Sequence, residues 1–218
     1  MVGISRGGPT EGAYGGDGYL HDAHCVIDDG PDTRFTGHEI CIGSSHPPSP
    51  APGPGNRVVI ADVTDKDNPV TLSRAFYPNP SPGISHQGRL LDGDRYYLHG
   101  HEAGSPRDPQ GIDIFDFADL TDPQHIGFFE SLVQSTHHNL YQAADGYVYR
   151  SNYSSGLRVY DVSNVADGIL EEVAYFDVFP PNNDVGFGFG TWSNYPFFDS
   201  GVVAVHGYQG LWIVTPRR

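Results

Sequence analysis

Apolar residues in this chain fall in short runs separated by turns rich in Gly, Pro, Asp and Asn, a pattern of strands rather than helices. Three runs share one design: Val58-Val59-Ile60-Ala61-Asp62-Val63-Thr64-Asp65, Ile112-Asp113-Ile114-Phe115-Asp116-Phe117 and Leu157-Arg158-Val159-Tyr160-Asp161-Val162-Ser163. Each is an apolar strand that ends in Asp and gives way to a polar turn. The first two turns reach a proline (Asn68-Pro69, Asp122-Pro123), and the third has Asp167-Gly168 instead. A further strand is predicted after each, over 70–77, 124–129 and 170–176. A fourth copy, Gly210-Leu211-Trp212-Ile213-Val214, has no such follower.

Upstream of each copy lies a second shared pattern: Leu20-His21-Asp22-Ala23, Ser85-His86-Gln87-Gly88, His137-His138-Asn139-Leu140 and Gly190-Thr191-Trp192-Ser193-Asn194. Short strands are predicted after these, over 39–43, 95–100, 147–152 and 202–207. The repeating unit is therefore four strands in about 50 residues, the period of a β-propeller blade. One blade cannot bury both of its faces alone, so blades stack around an axis. The predicted fold is all-β, a propeller of about four blades of four antiparallel strands, the last lacking its outer strand. The blades run approximately over 19–77, 85–130, 137–177 and 190–216, within 19–218. Residues 1–18, rich in Gly, form a tail or a closing strand. The Pro-rich stretch 47–56 reads as an exposed loop of the first blade. A β-sandwich also has evenly spaced strands, but it has no reason to repeat the His and Asp-turn-Pro motifs.

Composition narrows the function. With 12 basic and 27 acidic side chains the formal charge is −15, which repels the phosphates of nucleic acids. The one lysine, Lys66, against eleven arginines fits either a salty habitat or Arg-favouring codon usage. No stretch reaches the roughly 18 apolar residues of a transmembrane segment, and 1–18 carries no apolar core of an export signal. Cys25 and Cys41 lie on two predicted strands, over 21–27 and 38–43, joined by Asp28-Asp29-Gly30-Pro31-Asp32. A hairpin centred near Thr33 puts them within disulfide reach; the alternative is a pair of buried thiols.

The chain resembles the choice-of-anchor B family, LVIVD-repeat-like β-propellers of bacteria and archaea. The resemblance rests on His21-Asp22-Ala23-His24-Cys25-Val26, Gly30-Pro31-Asp32, Glu39-Ile40-Cys41, Ile60-Ala61-Asp62-Val63-Thr64-Asp65-Lys66, His86-Gln87-Gly88, His138-Asn139-Leu140-Tyr141, Ser151-Asn152-Tyr153 and Gly156-Leu157-Arg158. It extends from Tyr19 to the C-terminus and implies an extracellular or cell-surface propeller of undefined biochemistry. Two departures stand out. Members of that family are usually longer, and this chain matches their C-terminal part. His24 stands where the family usually has Gln, and His46 where it usually has an acid.

If the His-containing segments are innermost strands, His21, His86 and His138 converge on one axis. Such a trio, joined by Glu102 and His46 from the second strands, can hold a divalent transition metal (Zn, Mn, Cu or Fe) with an open position. Asp22, Gln87, Asn139 and, more distantly, Asn152 are the residues expected to support it. The competing reading is a polar channel whose side chains bond backbone and trapped water. His99 and His101 flank Gly100 and alternate on one strand face, where they could form a small site with Glu102; the favoured reading makes them surface or channel-mouth residues, and His38 and His125 surface residues. The acidic turns 28–32 and 62–68 offer oxygen ligands for Ca²⁺, though Asx-turn chemistry explains them equally.

No Ser-x-x-Lys pair or phosphate loop occurs; Gly186-Phe187-Gly188-Phe189-Gly190 leads into Trp192, not into a Lys-Ser/Thr helix start. Three functions remain. One is a binding module for a glycan, peptide or protein. Another is a metal-dependent hydrolase, lyase or oxidoreductase, with polysaccharide as a candidate substrate and Glu102 or Asp22 as base. The third is a homo-oligomer assembled through an open edge strand.

Overall fold

The computed structural model describes residues 19–46, 57–76, 84–102, 110–182, 186 and 189–217. The tail 1–18, the Pro-rich stretch 47–56 and residues 187–188 of the Gly-rich run 186–190 anticipated from sequence lie outside these residues.

Strands form on the anticipated runs, within one to three residues at most ends. The first antiparallel sheet takes β1 (Tyr19–Ile27), β2 (Glu39–His46), β3 (Arg57–Asp62) and β4 (Val70–Phe76) in chain order. The second takes β5 (Ile84–Leu90), β6 (Tyr96–Glu102), β7 (Gly111–Asp116) and β8 (Gln124–Glu130), and the third takes β9 (Leu140–Gln142), β10 (Val148–Ser151), β11 (Leu157–Asp161) and β12 (Glu171–Phe176). The fourth has three strands, β13 (Thr191–Tyr195), β14 (Val203–Gly207) and β15 (Gly210–Val214).

The recurrent Asp at the end of each third strand has a local cause. Its Oδ1 accepts the N–H two residues on: Asp62 from Thr64 (2.9 Å), Asp116 from Ala118 (2.9 Å) and Asp161 from Ser163 (2.7 Å). This Asx turn ends the strand and aims the chain at the fourth. Where the third turn lacks a proline, a short 3-10 turn, Val165–Asp167, closes on Gly168 at φ +71°, a left-handed conformation that Gly adopts without strain.

Alternation gives each sheet two faces. The front of each packs on the rear of the next. Ile42, Val58 and Ile60 share a core with Tyr97, Phe115 and Phe117 of the second sheet. Leu98, Ile112 and Ile114 meet Leu140, Val148 and Tyr160 of the third. Tyr149, Leu157 and Val159 meet Val203, Val205, Trp212 and Val214 of the fourth. Middle strands covered on both sides therefore read as continuous apolar runs, and β3 is buried from Arg57 to Ala61. Each fully buried side chain of this size contributes about 1.5–3 kcal/mol. Cys25 stands opposite Cys41 across β1 and β2, with Cα atoms 4.1 Å apart, and the two form a disulfide.

Candidate metal centre on the inner strands

The inner strands β1, β5, β9 and β13 adjoin in that order. Register breaks between Leu20 and Asp22, between Ser85 and Gln87, and between Thr191 and Ser193 leave His21, His86 and Trp192 as supernumerary residues. His138, just ahead of β9, is in the same situation: its N–H bonds the Ser151 carbonyl, while the Ser151 N–H bonds that of Asn139. A β-bulge re-aims the extra side chain out of the normal alternation. Here the same bulge at the same place in four sheets gathers three imidazoles and an indole. Ring centroids lie 4.4 Å apart for His21–His86, 4.3 Å for His86–His138 and 4.7 Å for His138–Trp192.

Glu102, the last residue of β6, completes the cluster. Its Oε2 lies 3.5 Å from His86 Nε2 and its Oε1 3.4 Å from His138 Nε2. The Tyr153 hydroxyl donates to Oε1 at 2.6 Å. Tyr153 has φ +34°, an unusual backbone for a bulky residue. Gly190 lies against it so closely that a Cβ there would stand 1.8 Å from the Tyr153 carbonyl oxygen. His86, His138 and Glu102 are buried, and His21 is exposed, so the cluster opens on the His21 side.

Burial, followed by the neighbouring His138, His21 and Arg150 charges, pushes His86 down to about 2. Burial likewise holds His138 at about 4, against its bond to the Trp192 carbonyl. Burial raises Glu102, opposed by the Tyr153 hydrogen bond. Both imidazoles are thus neutral at physiological pH, the form that ligates metals. Arg150, fully buried, donates from Nη1 to the Gly111 carbonyl at 3.0 Å and adds a positive charge beneath the histidines.

The residues fit a cation. Donor atoms of His21, His86 and Glu102 all lie within 4.8 Å of one another, a set that can hold a metal ion. The spacings of 3.5 and 3.4 Å from Glu102 to the two imidazoles match the roughly 3.4 Å between ligands of a tetrahedral ion with 2.1 Å bonds. His138 donates its Nδ1–H to the Trp192 carbonyl, which leaves the Nε2 lone pair facing Glu102. His86 Nδ1 is buried with no hydrogen-bond partner among the described residues.

The anticipated supporting residues do other work. Asp22 turns back onto its own strand and accepts from the Ala23 N–H at 2.6 Å. Gln87 accepts from the Leu140 N–H at 2.8 Å, and Asn139 donates to Ser193 Oγ at 3.1 Å. Both tie adjacent inner strands together. Asn152 holds the turn before β11: its carbonyl accepts from Ser135, and its N–H donates to Thr191 Oγ1 at 3.0 Å. His46 ends β2 opposite Tyr19, and its side chain lies outside the described residues.

A second histidine cluster corrects the sequence reading. His99 and His101 are not at the surface: they are 0% and 7% exposed. His125, also expected outside, is largely covered. Asp113 receives His101 Nε2 at 2.5 Å and His125 Nε2 at 2.7 Å, and Ser85 Oγ lies 3.0 Å from His99 Nε2. Burial alone would raise Asp113, but the two imidazole hydrogen bonds outweigh it and hold the carboxyl at about 2. Strand alternation put His99 and His101 on one face; only the β6–β7 register puts Asp113 beside them. His38 is half exposed and bonds Asp62 at 2.7 Å. The acidic turns considered for Ca²⁺ use their carboxylates locally. Asp32 pairs with Arg34 at 2.7 Å and accepts from the Leu120 N–H, and Asp65 accepts from Asp67 and Asn68.

No family model and no curated protein matches the chain. Solved structures do. A structural-genomics protein of unknown function from Bacteroides thetaiotaomicron matches with a TM-score of 0.50 at 10% identity, over 91% of this chain and 42% of the other. A hypothetical selenium-binding protein from Sulfolobus tokodaii matches with a TM-score of 0.53 at 13% identity, over 89% and 53%. At these identities the likeness is one of fold. The chain spans about half the length of these structures. No helix among the described residues is long and apolar enough to cross a membrane.

Proposed function

We propose that the four sheets are blades of a β-propeller of the choice-of-anchor B type, secreted or surface-attached, that binds a divalent transition metal where its inner strands meet. The observation that carries this reading is the convergence of His21, His86 and His138 on Glu102, with the Tyr153 hydroxyl behind the carboxylate. The disulfide supports an oxidising location. A mixed imidazole and carboxylate set suits Zn²⁺, Mn²⁺, Cu²⁺ or Fe²⁺ better than Ca²⁺. The exposed side at His21 is where a glycan, peptide or protein ligand would approach.

Elemental analysis of protein purified without chelator tests this. The expected result is about one transition-metal ion per chain, lost in His86→Ala. Metal-free protein that also fails to take up Zn²⁺, Mn²⁺, Cu²⁺ or Fe²⁺ would overturn it.

A metal-dependent enzyme is the second reading, favoured by the open side at His21 and by the raised Glu102 carboxyl. A bound ion there supplies Lewis acidity or a metal-activated water. Glu102 is then a ligand or a base. In Glu102→Gln, metal content that persists while turnover of a polysaccharide or ester substrate disappears assigns it as base. Loss of the metal assigns it as ligand. Asp22, occupied by the Ala23 N–H, is the weaker base.

A further inference from the structure

Three residues past each bulge, the inner strands carry a second tier of side chains. Counting on from His21, His86, His138 and Trp192 gives His24, Arg89, Tyr141 and Tyr195, and register puts them at one level, opposite Ile42, Leu98, Tyr149 and Ala204. Three residues of strand span about 10 Å, so this tier lies about that far from the imidazoles. Its members touch in order around the four sheets. Arg89 Nη1 donates to His24 Nδ1 at 2.6 Å, and the Arg89 guanidinium stacks 4.9 Å over the Tyr141 ring. Phe197 then joins Tyr141 to Tyr195, with ring centroids 5.8 and 5.1 Å away.

Arg89 is the odd member of this tier. Arg34, Arg95 and Arg158 each meet a carboxylate, at 2.7, 2.7 and 2.9 Å. Half-buried Arg89 meets none among the described residues, on a chain with 27 acidic side chains. Asp22 and Glu102, the acids beside the inner histidines, are committed to the Ala23 N–H and the Tyr153 hydroxyl. Burial, followed by the Arg89 charge, holds His24 at about 4, so Arg89 donates to a neutral imidazole and not to a counter-ion. Its Nε is buried with no hydrogen-bond partner among the described residues. A guanidinium presents five N–H donors in a planar fork that fits two oxygens of a carboxylate, sulfate or phosphate, and leaving such donors covered and unpaired costs free energy. Space for a ligand adjoins the tier: a groove of about 440 Å³ is lined by Tyr141, Ser193, Tyr195, Phe197 and His206, among others, with no acidic side chain.

We propose that Arg89 is an oxyanion site on the inner strands, taking the carboxylate, sulfate or phosphate group of a small ligand whose remainder lies against Tyr141 and Tyr195. The site is separate from the imidazole cluster, and the proposal does not depend on metal binding there.

Isothermal titration of the full chain with glucuronate, sulfate and inorganic phosphate tests it, at about 0.15 M ionic strength and with glucose as the uncharged control. At least one anion saturates at one equivalent per chain, glucose does not bind, and the anion held most tightly identifies the group. Arg89→Met keeps the apolar stem, loses the fork and weakens binding by about 10- to 100-fold. Arg89→Lys keeps the charge and weakens binding less. In the wild type the Arg89 Nε–H resonance, assigned through its loss in Arg89→Lys, shifts as the anion is added, a readout that does not require Arg89→Met to fold. Titration after chelator treatment gives the same affinity. Failure of all the anions to bind overturns the proposal. Equal binding by glucose, equal binding by Arg89→Met or an unmoved Nε–H resonance overturns it too, as does binding that disappears with the chelator, because the anion then sits on a metal ion at His86.

Discussion

Glu102 stands between two imidazoles that burial keeps uncharged, so neither His86 nor His138 supplies an ionic partner near neutral pH. Tyr153 gives the carboxylate a strong hydrogen bond. Removing that hydroxyl leaves all the metal-facing atoms in place but loosens Glu102. Tyr153→Phe should therefore weaken metal affinity by about 10–100-fold, measured by competition against a chromogenic chelator, with little change in thermal stability. Away from the cluster, His99 is held down to about 3 by burial, then by His101, and His137 is held well below its usual value by burial, then by Arg150. Their folded values lie below the unfolded one, so the unfolded chain takes up protons first. Stability is full above about pH 6.5 and falls as pH drops, by up to about 1.4 kcal/mol per pH unit for each group. The Asp113 contribution goes later, as pH falls from about 4 toward 2. Urea midpoints at about pH 7.5 and about pH 5 should differ accordingly, and His99→Leu should shrink the difference.

The four bulges are the elements that turn a sheet edge into a site. Alternation along β5 would send His86 into one sheet face or the other; the extra residue between Ser85 and Gln87 sends it toward His21 and His138 instead. Sequence spacing exposed the repeat of His21, His86 and His138, and so their convergence was legible. The bulge was not, because nothing in Ser85-His86-Gln87 marks an unpaired residue without its partner strand. For the same reason Asp113 reads as unrelated to His99 and His101 until β6 and β7 are paired. Asp22, Gln87 and Asn139 follow the histidines directly and looked like their supports, but past a bulge the next side chain points elsewhere, and these three bind backbone or Ser193. The Cys25–Cys41 bridge, by contrast, followed from a hairpin whose midpoint the turn residues marked. It closes a loop of about 15 residues, worth about 3 kcal/mol. Cys25→Ser with Cys41→Ser should lower the unfolding free energy by about that amount in chemical denaturation, without altering metal content, since neither sulfur faces the cluster.

Across the whole molecule, the strand repeat predicted four sheets, and four are present among the described residues, the last with three strands. What no single strand could disclose is which sheet faces are covered, because burial depends on the neighbour. Leu211 and Ile213 look like Leu157 and Val159 in sequence, yet only the second pair is under another sheet. The arrangement makes the inner strands a shared structural and chemical element: the strands that tie adjacent sheets to one another also carry the imidazoles. The most direct test of the account is a Co²⁺ titration of the full chain followed by visible absorption. The account predicts d–d bands that saturate at one equivalent per chain and vanish in His86→Ala; absence of the bands, or bands unchanged in that variant, would contradict it.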